Sequence, residues 1–226
     1  MVRRMEIEPI AYIRNDFKEK FGIPRQSGLA ERVESRVEFA GKYRNPDALR
    51  GIEGFSRLWL IWGFSEARFN EWSPTVRPPR LGGNERMGVF ATRSPYRPNS
   101  LALSAVKLLR IEGGDLIVAG ADILDGTPVY DIKPYLPYAD AFPDEKAGWT
   151  DGARELTLEV EIPDSLIEGL PPDKREALIS VLKNDPRPTY QRDSERIYGL
   201  RFAEYNVKFS VKDSTLTVKN IEEAQK

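Results

Sequence analysis

The stretch Pro74–Ser104 reads PTVRPPRLGGNERMGVFATRSPYRPNSLALS, and the rest of the chain is organised around it. Between Arg77 and Arg97 it holds five arginines and one acid, Glu85, which leaves a local excess of four positive charges. Proline fixes φ and glycine permits positive φ, so the five prolines and the pair Gly82–Gly83 give its backbone a defined shape. Guanidinium groups present planar donors that suit carboxylates and phosphates. This stretch, called the arginine loop below, therefore indicates a site for an anionic ligand, with solvated surface arginines as the alternative.

Two other segments repeat this chemistry of arginine beside proline. One is Pro24-Arg25-Gln26, and the other is Asp185-Pro-Arg-Pro-Thr-Tyr190. Because binding residues concentrate on loops that a rigid scaffold holds, we expect the three loops to converge on one pocket. The alternative is that their arginines are scattered over the surface.

The chain of 226 residues contains no cysteine and no histidine. That composition excludes disulfides, thiolate nucleophiles, a Ser-His-Asp triad and the commonest ligands of transition metals. We therefore expect no metal, and any chemistry must use carboxylates, Tyr, Lys, Arg or a reactive cosubstrate. The net charge of −1 argues against a general nucleic-acid coat, whereas the arginine loop leaves room for a basic site that holds one RNA loop.

The sequence shows no signal for insertion into a membrane or for export. No apolar run approaches the roughly 20 residues of a membrane span. Its start, Met1–Arg14, has basic residues but no apolar segment of signal-peptide length. We expect a cytoplasmic protein without a membrane partner.

Apolar patterns in the N-terminal part indicate mainly β structure. The most apolar stretch, Ile52–Phe64, suits a strand buried on both faces or a strand inside a closed barrel. Ser100–Ile111 and Leu116–Leu124 flank a Gly-rich turn and predict a β-hairpin. We expect Lys133–Tyr138 to be extended, because its two prolines bar a regular helix.

Beyond this β-rich part the pattern predicts a smaller α+β domain. Residues 142–152 are acidic and turn-rich, as is typical of a linker, and they divide the chain into domains 1–150 and 151–226. Glu155–Ile162 alternates like a strand, and Pro163 and Pro172 each open a helical segment. Three further strands are predicted at Ile197–Leu200, Tyr205–Val211 and Thr215–Val218.

Several long motifs follow one another in a fixed order along nearly the whole chain. They are Pro24-Arg25-Gln26, Gly54-Phe-Ser-x-Leu-Trp59, Val76-Arg-Pro-Pro-Arg-Leu-Gly-Gly-Asn84, Gly88-Val-Phe-Ala-Thr-Arg-Ser-Pro-x-Arg-Pro-Asn99, Leu124-Asp-Gly-Thr-Pro128, Asp131-Ile-Lys-Pro-Tyr-Leu-Pro-Tyr138, Asp185-Pro-Arg-Pro-x-Tyr190 and Phe202-x-x-Tyr-Asn-Val207. Together these motifs resemble the TsaA-like or YaeB-like family, whose characterised members are the TrmO enzymes. The last two resemble the longer, bacterial-type members.

The resemblance implies a fold, an activity and partners. The expected enzyme transfers a methyl group from S-adenosylmethionine to N6 of threonylcarbamoyladenosine at position 37, in the anticodon loop of tRNA. Its cosubstrate-binding domain would be a small antiparallel β-barrel and not a Rossmann fold, in agreement with the β-rich pattern. The resemblance also implies a homodimer with the site near the subunit interface.

The resemblance further implies which residues contact the cosubstrate. The chain departs from the family at Arg57, where histidine is usual, and at Ser100-Leu-Ala102, where Pro-Ile-Gly is usual. The second departure loses a proline and a glycine beside the expected pocket, which changes the stiffness of the loop. The implied contacts are Pro24, Arg25, Gln26, Phe64, Ser65, Arg93, Leu103, Ile123, Leu124, Asp125 and Gly126.

Methyl transfer suits a chain without histidine, because the sulfonium of the cosubstrate is already an activated donor. Catalysis can then rest largely on holding the donor and N6 in line, about 3 Å apart. N6 must lose its proton, and the base candidates are Asp125, Asp131 and Tyr190. A threonyl carboxylate and RNA phosphates would favour cationic contacts. The candidates for those contacts are Arg77, Arg80, Arg97, Lys133 and Arg187.

Alternatives stay open for the aromatic residues and for the function. Tyr96, Tyr135 and Tyr138 either stack on bases of a single-stranded loop or pack inside the protein. The chain could also bind S-adenosylmethionine and an RNA loop as a regulator without turnover. It could instead methylate a different substrate.

Overall fold

Six strands close into a barrel that occupies the N-terminal half of the chain in the computed structural model, which describes residues 5–65, 72–81, 84–151, 157–187 and 193–224. The spatial order is β1-β2-β7-β6-β3-β8, and every pairing around the barrel is antiparallel. This arrangement confirms the predicted small antiparallel barrel. The strands are β1 (Ala11–Arg14), β2 (Glu34–Phe39), β3 (Arg57–Gly63), β6 (Leu101–Glu112), β7 (Asp115–Ala119) and β8 (Pro128–Pro134), while β4 (Thr75–Val76) and β5 (Met87–Gly88) form a separate pair.

The apolar strand β3 is central to the barrel, between β6 and β8. Leu58 and Leu60 point into the barrel core and are fully buried, and Trp62 joins them at 6% exposure. Trp59 alternates to the other face, where its indole N–H donates to Asp140 Oδ2 at 2.9 Å. Of the two readings of this stretch, the strand inside a closed barrel is therefore the correct one.

The predicted hairpin is confirmed. The sequence pattern missed the strand β8, which has a proline at each end. β6 and β7 pair around Gly113 and Gly114, both of which have positive φ. Pro128 and Pro134 are the first and last residues of β8, where a missing N–H interrupts the ladder least. The segment after it was expected to stay extended, but a short helix, α1 (Pro137–Asp140), begins with Pro137 as its first residue.

The C-terminal region has the α+β structure that the pattern predicted. Strands β9 (Glu159–Glu161), β10 (Tyr198–Phe202), β11 (Tyr205–Lys212) and β12 (Thr215–Glu223) form one sheet in the order β10-β11-β12-β9. Helices α2 (Asp164–Ile167) and α3 (Pro172–Lys183) accompany the sheet. The apolar stripe of α3 is buried in the core of this region. Within the described ranges, no helix is both long and apolar enough to cross a membrane.

A segment of the N-terminal half, residues 15–33, packs into the core of the C-terminal region. Phe17, Ala30 and Val33 belong to that core, and Phe17 contacts Phe202 edge to face with ring centroids 6.3 Å apart. Ion pairing adds to this contact, since Lys174 Nζ of α3 lies 2.6 Å from Asp16 Oδ2. The loop Pro24-Arg25-Gln26 lies within this segment and is therefore held by both halves of the chain.

A buried carboxylate fixes the start of β7 against the end of β2. Asp115 is 3% exposed, and its Oδ1 accepts the backbone N–H of Phe39 at 3.0 Å. Arg44 Nη2 donates to both carboxylate oxygens, at 2.8 and 2.7 Å, and Arg36 Nη1 reaches Oδ2 at 3.3 Å. One side chain thus joins two barrel strands and the turn that follows β2.

We expect Asp115→Ala to lower the free energy of unfolding by about 3 kcal/mol, because it leaves the buried Phe39 N–H without an acceptor and separates two guanidinium groups from their partner. Urea denaturation followed by circular dichroism measures the change. Asp144→Ala is the matched control, since that carboxylate is exposed. Equal stability of the two variants would show that the Asp115 cluster contributes nothing to the barrel.

Candidate functional site

The arginine loop folds into a small lobe beside the barrel. β4 and β5 pair in an antiparallel manner, with Thr75 opposite Gly88 and Val76 opposite Met87. Short 3-10 turns at Pro79–Leu81 and Val89–Ala91 flank the pair. The lobe therefore has hydrogen-bonded structure of its own, as expected for a shaped loop.

The three arginine–proline loops line one cleft of about 1160 Å³, as their shared chemistry predicted. Arg25 Nη2 donates to the carbonyl of Arg187 at 2.8 Å and to that of Asp185 at 3.3 Å. Arg93 Nη1 donates to Gln26 Oε1, which joins the arginine loop to the same segment. Arg86 of the arginine loop also lines the cleft, together with residues that sequence reasoning did not single out: Phe21, Ile23 and Trp149.

A close backbone crossing holds the loop of residues 24–28 on the barrel. The N–H of Gly28 donates to the carbonyl of Gly120 at 2.8 Å. Gly120 has φ of +75°, and a Cβ on it would lie 3.1 Å from Cα of Gly28. Only a residue without a side chain allows this approach at the normal backbone separation.

A hydrogen-bonded chain leads from Trp62 in the barrel core to Asp122, just beyond β7. Trp62 Nε1 donates to Ser104 Oγ at 2.9 Å, and Ser104 Oγ donates to Asp122 Oδ1 at 2.6 Å. Burial raises the pKa of Asp122, while the Ser104 hydrogen bond, its own backbone N–H and the positive charge of Arg93 oppose that rise. Asp122 is therefore close enough to Arg93, a residue of the cleft wall, to interact with its charge.

Several residues predicted to contact the cosubstrate adjoin this chain in sequence or pack on it. Leu103 precedes Ser104 on β6 and is 51% exposed, and Ile123 follows Asp122 and is fully buried. Phe64 packs edge to face on Trp62, with ring centroids 4.7 Å apart. At the end of this group, Ser65 Oγ lies 3.3 Å from Thr127 Oγ1, directly after the turn that holds Gly126.

Sequence reasoning missed Asp122, although a signal for it was present. The apolar run Leu116–Leu124 contains one acid, and an acid at that point of a buried strand needs a partner. The apolar pattern of Leu116–Leu124 by itself predicts only a strand. Asp122 is a functional candidate because its partners lie on three segments that carry predicted cosubstrate contacts.

The turn Ile123-Leu124-Asp125-Gly126 is held by the segment that begins at Asn15. Asn15 Nδ2 donates to the carbonyl of Ile123 at 2.8 Å, and the Asn15 N–H donates to Asp125 Oδ1 at 3.0 Å. Lys18 Nζ lies 2.8 Å from Asp125 Oδ2. Gly126 adopts φ of +77° and donates its N–H to the carbonyl of Ile13 at 2.8 Å. The turn is thus rigid, and each carboxylate oxygen of Asp125 has a partner.

The base candidates differ in their surroundings. Asp125 belongs to the turn Ile123-Leu124-Asp125-Gly126 just described. Asp131 lies on β8, where Lys133 Nζ pairs with its Oδ2 at 2.9 Å and the Ile132 N–H donates to its Oδ1 at 2.9 Å. Neither carboxylate is among the residues that line the cleft. Tyr190 lies outside the described residues.

The cationic substrate candidates also divide by environment. Arg77 is exposed on the cleft wall, and the side chain of Arg80 lies outside the described part. Arg97 donates to the carbonyls of Thr92 and Ser94, both at 3.2 Å, and so stiffens the arginine loop. Arg187 forms a two-point ion pair with Asp185, at 2.8 and 2.9 Å, and the hydrogen bond to Asp185 raises the pKa of Arg187. Its side chain is only 11% exposed, although it reaches the cleft.

The aromatic candidates are separated in the structure. Tyr96 lines the cleft and is 43% exposed. Tyr135 packs against Trp59 on the outside of the barrel, with ring centroids 5.3 Å apart. Tyr138 is on α1 and is 86% exposed. Across residues 5–65, 72–81, 84–151, 157–187 and 193–224, no group of three or more carboxylates is placed to hold a metal ion.

Comparison with known proteins matches both halves of the chain. The family model of the tRNA-methyltransferase O N-terminal domain covers residues 12–141, and that of the TrmO C-terminal domain covers residues 157–224. The chain belongs to the TrmO family. Its barrel, its arginine loop and the turn of residues 123–126 therefore lie within the N-terminal TrmO domain.

Relatives of this TrmO-family chain match over nearly its full length. A protein of Escherichia coli strain K12 named tRNA (adenine(37)-N6)-methyltransferase is 40% identical over 225 residues, which cover 94% of this chain and 96% of that protein. A Pseudomonas aeruginosa protein named as an S-adenosylmethionine-dependent methyltransferase is 41% identical over 214 residues, 89% of this chain and 90% of its own. The crystal structure of TrmO from P. aeruginosa has a TM-score of 0.82 and 33% identity, with 99% of both chains covered.

The raised pKa of Asp122 predicts a dependence of stability on pH. The pKa of an aspartate in the unfolded chain is about 3.9. Above that pH the folded protein still binds the proton of Asp122, so wild type loses stability as the pH rises through the folded pKa. Asp122→Asn stays neutral, keeps an acceptor for Ser104 and escapes that loss. We expect the variant to gain stability relative to wild type as pH rises from about 4 to about 8.

Urea denaturation of both proteins at a series of pH values measures this difference. Asp144→Asn, at an exposed carboxylate, controls for the loss of one negative charge. A difference between wild type and Asp122→Asn that does not change with pH would contradict the burial of the charged form.

Proposed function

We propose that this TrmO-family protein is a tRNA methyltransferase that moves the methyl group of S-adenosylmethionine to N6 of threonylcarbamoyladenosine 37. The observation that carries the proposal is the cleft, which three arginine-bearing loops line, with Asp122 close enough to interact with the charge of Arg93 on its wall. The E. coli relative, which is named for methylation of adenine 37 at N6, aligns with 94% of this chain. A cosubstrate site and a surface for a polyanion thus lie on one face.

The residues present fit S-adenosylmethionine. Arg93 offers a guanidinium for a carboxylate, and Asp122 offers a carboxylate for hydroxyl or amino groups. Phe64 and Leu103 supply apolar surface beside them, and the rigid turn at Gly126 presents backbone groups. When bound, the cosubstrate supplies an activated methyl group, and the chain has to orient it and keep water away.

The chain's own residues must also take the proton from N6. Each of the two carboxylates pairs with a lysine, and we favour Asp125 over Asp131 because Asp125 is part of the turn that the family resemblance assigns to the cosubstrate. Lys18 Nζ, 2.8 Å from Asp125 Oδ2, holds the carboxylate in one position, and a carboxylate oxygen is a group that can act as a general base. Positioning by the three loops would supply most of the rate, since proximity is the main demand on an enzyme with an activated donor.

The positive charge of the cleft suits the anticodon loop of tRNA. Arg77, Arg86 and Arg93 line one wall, and Arg187 lines the opposite one. Such groups contact phosphates and can clamp the threonyl carboxylate. In this proposal residues 1–150 carry the cosubstrate and residues 151–226 complete the RNA site, since Asp185 and Arg187 hold Arg25 through their carbonyls.

Assembly and location extend the proposal. Exposed apolar side chains follow β6 on the outside of the barrel, at Leu101, Leu103, Leu109 and Ile111. We propose that a second copy covers this strand, which would place the homodimer interface beside Leu103 and the cosubstrate. The enzyme would act in the cytoplasm, where tRNA is available.

We expect Arg93→Ala to weaken S-adenosylmethionine binding by roughly ten- to a hundredfold, as the loss of about 1.5–3 kcal/mol from a charge-assisted hydrogen bond requires. Isothermal titration calorimetry measures the dissociation constant. Arg50→Ala is the matched control, because the side chain of Arg50 is 81% exposed and pairs with Asp47 outside the cleft. If wild type shows no heat at millimolar ligand, the cosubstrate site is wrong. If only the variant is unchanged, Arg93 has no part in binding.

The activity itself is tested on tRNA with and without the threonylcarbamoyl group. A site built to pair a carboxylate rejects a substrate that lacks it by about 10⁴–10⁵. We therefore expect nucleoside mass spectrometry to find N6-methyl threonylcarbamoyladenosine after reaction of modified tRNA, and far slower methylation of the unmodified transcript. Equal rates on the two tRNAs would contradict the proposed carboxylate clamp. Binding of tRNA without any methylated nucleoside would identify the protein as a regulator.

A further inference from the structure

Two large aromatic rings stand exposed on the lobe that carries the arginines. Trp72 is 50% exposed and Phe90 is 74% exposed. Their rings face each other nearly in parallel, with an interplanar angle of 20° and centroids 6.3 Å apart. Neither ring belongs to the barrel core or to the core of the C-terminal region. Trp72 and Phe90 are called the aromatic pair below.

The lobe places the aromatic pair at the edge of the cleft. Ser73, which follows Trp72, donates its N–H to the carbonyl of the cleft residue Tyr96 at 3.1 Å. Phe90 stands two residues before Thr92, where the cleft wall begins again. Beneath it, Trp149 Nε1 donates to the carbonyl of Ala91 at 2.8 Å. Both rings are therefore fixed next to the wall formed by Arg77, Arg86 and Arg93.

The lobe is held together by hydrogen bonds that do not involve the rings of the aromatic pair. Hydrogen bonds between β4 and β5, together with the bond from the Val89 N–H to the carbonyl of Pro74 at 3.0 Å, hold the lobe. Arg97 braces the rest of the loop through two carbonyls. Exposed aromatic surface beside a cationic groove is the combination that binds single-stranded nucleic acid, since bases stack on the rings and arginines contact phosphates.

We propose that the aromatic pair is a stacking platform for an unpaired base of the RNA loop that neighbours the methylated adenosine. This inference rests on the proposed function, because the cleft next to the pair is the one that would hold that adenosine. An adenosine whose N6 reacts inside the cleft must leave the loop stack, so its neighbours lose a stacking partner. Trp72 and Phe90 replace the lost contact and hold the loop open.

The test uses the full chain and a synthetic anticodon stem-loop that carries threonylcarbamoyladenosine 37 and 2-aminopurine on its 3′ side. Stacking quenches 2-aminopurine, so the bound wild-type complex should be dark and the bound Trp72→Ala complex bright at saturating protein. We expect Trp72→Ala and Phe90→Ala each to raise the dissociation constant roughly tenfold. Trp72→Phe should restore most of the affinity, because it restores a ring.

Two comparisons separate stacking from charge and from general damage. Phe142→Ala removes an aromatic ring that is 67% exposed outside the cleft and should leave binding unchanged. Arg86→Ala should lower the slope of log affinity against log salt by about 0.7, as the loss of one phosphate contact on a single strand does. Trp72→Ala should leave that slope as it is in wild type.

Wild-type affinity and a dark complex for Trp72→Ala would overturn the platform. A shift of the subunit equilibrium by Trp72→Ala in sedimentation would also overturn it, because the rings would then belong to a protein contact. These outcomes are distinct from a failure of the proposed function. If wild type binds the stem-loop in a dark complex but forms no methylated nucleoside, the platform stands and the enzyme assignment fails.

Discussion

The crossing of Gly28 over Gly120 is the constraint on which the arrangement of the site depends. The two backbones approach closely there because Gly120 carries no side chain, and a hydrogen bond of 2.8 Å joins them. The crossing seats residues 24–28 on the barrel, so that Gln26 meets Arg93 from the arginine loop. From the other side, the carbonyls of Asp185 and Arg187 hold Arg25. The loop of residues 24–28 is thus held by the barrel, by the arginine loop and by the C-terminal region.

Much of the fold could be predicted from periodicity and turn chemistry. The hairpin β6–β7 and the strands of the C-terminal sheet follow from alternation and from glycine turns, which are local signals. The strand β8 could not be predicted in this way, because proline in a sequence usually indicates the interruption of a strand. Only the strand pairing in the structure shows that both prolines of β8 are its terminal residues. Closure of the barrel came from the family resemblance, because the pairing of β1 with β8 joins residues far apart in the chain.

The site was predictable to the extent that residue type reveals chemistry. Proline beside arginine identified the three loops, and they do share a cleft. Residue type could not separate guanidinium groups that serve the protein from those that face a ligand. Arg97 binds carbonyls of its own loop and Arg187 binds Asp185, whereas Arg77 is exposed on the cleft wall. Asp122 was missed because its burial and its bond to Ser104 exist only after the strands have come together.

The packing of residues 15–33 into the C-terminal core has a consequence for the order of events during synthesis. Phe17 contacts Phe202, and the Ala203 N–H donates to the carbonyl of Asp16. The segment of residues 15–33 therefore makes these contacts only after strands near the C-terminal end of the chain have been synthesised. Barrel strands can pair on the ribosome before that, as N-terminal domains generally do. The loop that carries Arg25 reaches its final position only after β10 has emerged. A nascent chain that lacks β10 would therefore hold paired barrel strands without the contacts that fix residues 15–33.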